Sequence, residues 1–143
     1  MTLIRFLTAL LAALCVAPGV AFSEQSERHG DFEIHYNAIP TTWLSPEVAE
    51  RYGIPRSRVQ GMLLVSVMEH DTPVTASVRG QTRDSDDPAR DMDFRRLAIG
   101  ERTSQVALFP IRDGATMQFE LVVRPRMQDE SYSIRFRETF HVE

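Results

Sequence analysis

The run from Gly61 to Glu69 is the most continuously apolar stretch beyond the N-terminus, and it restricts the fold more than any other feature. It is short, and Val65 and Val67 are β-branched, so a strand suits it better than a buried helix. Turn formers follow at Asp71, Thr72 and Pro73. In a strand, Leu63, Val65 and Val67 face one way while Met62, Leu64 and Met68 face the other, so both faces need cover. The rest of the folded part is therefore expected to consist of shorter strands laid around a central one.

The flanking pattern agrees. From Asp31 onward, Phe32, Ile34, Tyr36 and Ala38 alternate with Glu33, His35 and Asn37, which predicts a half-buried first strand closed by Pro40. Residues 44–53 carry the one strong helix signal: Ser45 as N-cap, Pro46 in the first turn, Glu47 at the positive end and Gly53 as the stop. A helix of about two turns is marginal alone, so Val48, Ala49 and Tyr52 are expected to pack on the sheet, with Trp43 beneath them. After the central strand, Val74, Ala76 and Val78 predict a third strand, and the polar run 81–90 a loop. Met92 and Phe94 are out of phase with Leu97 and Ile99, which a bulge near Arg95 and Arg96 would reconcile. A short strand over 105–109, a hairpin turn at Arg112, Asp113 and Gly114, an alternating strand over 117–123 and a last strand from Tyr132 complete the chain. The expected fold is all-β: an immunoglobulin-like antiparallel β-sandwich of about seven strands with one short helix after the first, a small barrel being the alternative.

Arg5 precedes the apolar run Phe6 to Ala17, Pro18 ends that run, and Gly19 and Ala21 stand two apart as a signal peptidase requires. Residues 1–21 are thus expected to be a cleavable leader for the general secretory route, 22–30 a flexible lead-in, and 31–143 a single periplasmic domain. The apolar run is short of the roughly 20 residues of a membrane span, so no stable membrane insertion is expected after cleavage. Leu14 before Cys15 argues against a lipoprotein. Cys15 is the single cysteine and leaves with the leader, so the mature domain has neither disulfide nor thiol chemistry. The formal net charge is −4, one unit more negative once Arg5 is lost, which argues against nonspecific nucleic-acid binding. Every basic residue among the 16 is arginine.

Chemistry-bearing constellations are sparse. Asp84, Asp86, Asp87, Asp91 and Asp93 invite a calcium site, but Ala89 and Arg95 stand where an EF-hand needs glycine and glutamate. His29, His35, His70 and His141 lack zinc-motif spacing. His35 and His141 lie on polar faces of the first and last strands and would approach each other if those strands paired. No Gly-x-Ser-x-Gly elbow marks a nucleophile, so no catalytic residues and no cofactor or metal are assigned. Arg124, Arg126, Arg135 and Arg137 flank one predicted turn and are read as cross-strand partners of residues such as Glu120 and Glu138, with an anion-binding patch as the other reading. Glu138 falls on the apolar face between Phe136 and Phe140, so either a bulge turns it out or an arginine meets it there.

Residues 30–38, 44–49 and 52–57 resemble a family of short exported proteins from Gram-negative bacteria classed as a domain of unknown function. The resemblance implies a periplasmic, immunoglobulin-like fold and supplies no catalytic residues. Beside it, His35, Asn37, Trp43, Tyr52, Arg56 and Arg58 gather around the first strand and helix more densely than packing requires, and they form the candidate partner surface. The leading expectation is a non-enzymatic periplasmic binding or adaptor module with an envelope protein partner. A small-ligand or metal-binding protein or enzyme, and an envelope protein that associates through an edge strand, are the alternatives.

Overall fold

The computed structural model describes residues 24–85, 87–126 and 128–142. The expected leader, Cys15 included, lies outside the described residues. Ten strands are present among the described residues: β1 (Gln25–His29), β2 (Phe32–Pro40), β3 (Gln60–Glu69), β4 (Thr72–Val74), β5 (Ala76–Asp84), β6 (Arg90–Asp91), β7 (Arg95–Ile99), β8 (Arg102–Pro110), β9 (Thr116–Pro125) and β10 (Tyr132–Thr139). A 3-10 turn (Thr41–Trp43) and the helix α1 (Pro46–Tyr52) separate β2 from β3. The strands form two antiparallel sheets, ordered β1-β2-β3-β8-β7 with β4 also on β3, and β10-β9-β5-β6. This is an all-β sandwich, with β3 at the centre of the larger sheet as its apolar run predicts.

The core lies between the sheets. Alternation sends Phe32, Ile34 and Tyr36 of β2, Leu63, Val65 and Val67 of β3, and Ala107 and Phe109 of β8 inward from the first sheet. Met117, Phe119, Leu121 and Val123 of β9, with Ile134 of β10, meet them from the second. Each large apolar side chain fully buried here contributes about 1.5–3 kcal/mol. An aromatic row links the sheets: Tyr36 packs on Phe136 at 4.6 Å between ring centroids, and Phe136 stacks on Phe119 at 4.7 Å.

Sheet membership corrects several expectations. The single third strand divides into β4, which pairs with β3, and β5, which pairs with β9. β5 then runs on through Asp84, into the stretch expected to be a loop. Its polar side chains are compatible with a strand because Arg79, Gln81 and Arg83 face solvent, whereas Thr82 is buried and donates to the Gln118 carbonyl at 3.1 Å. No bulge reconciles Met92 with Leu97. β6 belongs to the second sheet and β7 to the first, so the phase changes because the chain crosses between them. Likewise β8 and β9 lie in different sheets, and the turn at Arg112 to Gly114 is a crossing rather than a hairpin. Asp113 secures it by accepting from the Val142 amide at 2.9 Å.

Residues 25–29, expected within a flexible lead-in, form the edge strand β1 in continuous register with β2, from Gln25 opposite Tyr36 to His29 opposite Phe32. Their inward side chains are polar and therefore gave no apolar alternation to read. Two of them find partners on β10 and the third, Glu27, on β2. His29 stacks on Tyr132 at 4.8 Å, Tyr36 donates to Glu27 at 3.5 Å, and the Gln25 amide donates to Glu138 at 3.5 Å. Glu138 is met by this glutamine, not by an arginine, and β10 stays in register with β9 on both sides of it, so no bulge turns it out.

Burial holds the Glu138 carboxyl above the ordinary glutamate range. The folded state thus favours the protonated form. Stability from this group is fully present below the unfolded pKa of about 4.3 and is lost as pH rises through the raised folded value. Glu138→Gln is expected to be more stable than wild type at neutral pH, with the gap closing below about pH 4, in thermal unfolding run across pH. A variant less stable at neutral pH would show that the carboxylate's bond with Gln25 outweighs its burial.

Candidate functional site

The outer face of the first sheet is half apolar. β2 alternation that turns Ile34 and Tyr36 inward places Glu33, His35, Asn37 and Ile39 outward. Asn37 stands opposite Leu64, and Leu64 opposite Val106; in the next row Ile39 faces Met62 and Met62 faces Leu108. Apolar side chains at this end of the outer face require a cover, and α1 with its flanking loops supplies it. Ile54, Met62, Leu97 and Val106 form a second small core, with Ile39, Leu44, Tyr52, Leu64, Ile99 and Leu108 partly buried against it.

Local chemistry makes the cover form. The Ser45 hydroxyl accepts from the Val48 amide at 3.2 Å, Pro46 opens the helix, and Gly53 closes it at φ 63°, a conformation that costs glycine little. Ala49 is buried, and Val48 and Tyr52 are half-buried. The segment is then pinned at both ends. Fully buried Thr41 donates its hydroxyl to the Ser57 carbonyl at 3.2 Å and accepts from the Ser57 amide at 2.9 Å. Arg56 donates to the Thr42 carbonyl at 3.1 Å, and Arg95 reaches the Tyr52 carbonyl at the helix end at 3.0 Å.

The six candidate residues divide accordingly. Trp43, Tyr52, Arg56 and Arg58 all belong to this covering segment, while His35 and Asn37 extend along β2 on the same outer face. Tyr52 contributes to the second core, and Arg56 uses its guanidinium to hold the 3-10 turn. Trp43 does not lie beneath the helix: it is 54% exposed, because α1 and its flanks cover the sheet with Leu44, Tyr52 and Ile54 instead. Val59, 68% exposed, joins it as the other large exposed hydrophobic side chain among the described residues. Sequence reasoning missed Val59, whose isolated position between Arg58 and the strand β3 carries no periodic signal.

His35 and His141 are not brought together. β2 pairs with β1 and β3 in the first sheet, whereas β10 pairs with β9 in the second, so the two strands do not adjoin in one sheet. His35 instead sits between Glu33 at 3.5 Å and Glu24 at 3.7 Å, and Glu33 is shared with Arg28 at 3.5 Å. Among the described residues, no group of three or more His, Cys, Asp or Glu side chains is placed to hold a metal ion. In the acidic stretch, Asp84 pairs with Arg112, which holds its carboxyl below the usual range, and Asp91 accepts from Gln81 at 2.9 Å. Asp86 lies outside the described residues. Arg135 lies 3.9 Å from Glu120, as the cross-strand reading expects; Arg124 and Arg126 do not share that pairing.

These features define a two-sheet β-sandwich whose larger sheet carries a helix-covered outer face with exposed apolar side chains at its rim. The chain belongs to the DUF4426 family, a domain of unknown function, which matches residues 26–143. A solved DUF4426 protein from Pseudomonas aeruginosa PAO1 is 31% identical, with a TM-score of 0.74 over 84% of this chain and 96% of that one. FetP from uropathogenic Escherichia coli strain F11, expressed recombinantly in the periplasm, has a TM-score of 0.60 over 85% of this chain and 95% of its own, at 6% identity. A copper-bound single-residue variant of FetP gives 0.61 at 5% identity, over 84% of this chain and 96% of its own. At such identities the FetP likeness concerns the fold alone. No curated protein matches the sequence. Among the described residues no helix is long and apolar enough to cross a membrane.

Proposed function

We propose that this chain is a non-enzymatic, exported binding module that docks a protein partner on the helix-covered outer face of its first sheet. The observation that carries the reading is the exposure of Trp43 and Val59, 54% and 68%, at the rim of the second apolar core. Exposed large apolar side chains cost solubility unless something covers them, and tryptophan with arginine neighbours is the composition of binding hot spots. The rim cations Arg56 and Arg58 match a partner segment that presents an apolar side chain beside carboxylates. Trp43 is the anchor in this reading, and the pinned 41–57 segment spares the complex much of the cost of ordering a loop. Export rests on the leader pattern of residues 1–21, and the periplasmic expression of FetP is compatible with it. Copper, bound by the FetP variant, is not carried over, because at 5% identity that likeness concerns the fold alone.

A photo-crosslinking residue placed at Val59 in the native host tests this. One defined protein adduct is expected, reduced about 30-fold by Trp43→Ala, the effect of losing a hot spot of about 2 kcal/mol. A crosslinker at Arg135, on the second sheet, is expected to yield no such adduct. Equal adducts from both positions, or no adduct from Val59, would overturn the proposal. An unchanged unfolding midpoint for Trp43→Ala separates lost binding from lost fold.

A further inference from the structure

A second feature, independent of the docking face, lies where the two sheets part at one end of the sandwich. A cleft of about 800 Å³ opens there between the start of β5 and end of β9 on one side and β7 and β8 on the other. Its walls are tied across the gap by the Gln105 side chain, which donates to the Ala76 carbonyl at 3.1 Å, and the β5–β9 wall is closed at its end by the Arg126 amide, which donates to the Thr75 carbonyl at 2.8 Å. The opening is therefore built into the fold.

Three arginines line it, Arg96 from β7, Arg124 from β9 and Arg126 from the turn that follows, against one carboxylate among the described lining residues, Asp129. The alternation that sends Leu97 to the outer face turns Arg96, with its cross-strand neighbour Gln105, toward the gap between the sheets. All three are exposed, so their guanidiniums are open to a ligand from solvent. The ion pairs of the described residues, taken to 4.0 Å, lie elsewhere and include none of these three guanidiniums. Three like charges at the mouth of one cleft repel one another, in a chain whose net charge is −4. A multivalent anion relieves that repulsion. Guanidinium forks match phosphate and carboxylate oxygens in pairs, and Phe94 offers an apolar wall beside them.

We infer that this cleft binds an oxyanion ligand carrying two or more phosphate or carboxylate groups. The ligand enters from solvent, is held by Arg96, Arg124 and Arg126, and undergoes no chemistry. Free small anions and lipid headgroups both present such groups, and the test separates them. The mature chain is titrated calorimetrically with pyrophosphate, and in parallel sedimented with vesicles of phosphatidylglycerol in phosphatidylcholine. Saturable pyrophosphate binding is expected, weakening with salt and falling about tenfold or more in Arg124→Gln and in Arg126→Gln. Arg137→Gln, an exposed arginine on β10 outside the cleft lining, is expected to bind as wild type does. Vesicle binding lost in the same two variants would support the site and assign its source to a headgroup. Absence of saturable binding to either probe, or an equal loss in Arg137→Gln, would overturn the inference. All three arginines to be substituted are exposed, and unchanged unfolding midpoints without ligand establish that the variants are folded.

Discussion

Phe119→Ala is expected to cost about 3–5 kcal/mol of folding stability, seen as a lower urea midpoint at unchanged slope. Phe119 is 1% exposed and sits where the aromatic side chains of both sheets converge. It stacks on Phe136 at 4.7 Å and 11°, and meets Phe109 edge-on at 5.1 Å and Phe140 at 6.4 Å. Truncation removes the transfer energy of the ring and leaves a cavity that three other rings line. Those rings are themselves held, Phe136 by Tyr36 and Phe109 by Phe140, so the space cannot close by a simple rotation. For a domain whose whole stability is about 5–15 kcal/mol, such a loss is a large fraction. A cost below about 1 kcal/mol would mean that the two sheets repack independently of this contact.

Gly61→Ala is the second large effect, and it works by crowding. A Cβ at Gly61 would stand 2.6 and 2.7 Å from ring carbons of Phe109 and 2.9 Å from the Ile111 side chain. Both neighbours are buried, and the backbone at Gly61 is paired on each side, with Pro40 of β2 and Phe109 of β8. Neither the strand nor the ring has room to retreat. A destabilisation at the upper end of the about 1–3 kcal/mol typical of overpacked cores is expected in chemical denaturation. The double variant Gly61→Ala with Phe109→Leu is expected to lose less than the sum of its parts, because the smaller side chain relieves the contact. Strict additivity would show that the alanine acts on the backbone instead of on the ring.

The docking face and the arginine cleft use different residues, so their variants report separately. Trp43→Ala is expected to leave anion binding intact, and Arg124→Gln to leave the Val59 adduct intact. Failure of one reading therefore does not carry the other with it.

Much of this architecture was legible because it depends on neighbours in the chain. The alternation of Phe32 to Ala38 and of Met117 to Val123 marks buried strand faces at a period of two, and both appear as such. Ser45, Pro46 and Gly53 mark the helix ends by local hydrogen bonding and backbone preference, and α1 begins and ends where they require. The candidate surface was legible only as a concentration of side-chain types. That Arg56 serves the 3-10 turn and Tyr52 the second core follows from contacts across the sheet face, which composition does not encode.

What was missed shares one cause. β1 has polar inward positions, because it faces the polar seam with β10 and not the apolar centre, so periodicity alone passes over it. The phase change at Arg95 looks like a bulge along one strand and proves to be a passage between two sheets. The sequence by itself determined an all-β chain, its main strand faces and its short capped helix. Only the tertiary structure decided which sheet each strand joins, and with that what Glu138, Trp43 and Arg96 face. The physical reason is range: strand phase and helix caps are set by residues within a few positions, whereas sheet partnership is set by burial and register between segments far apart in the chain.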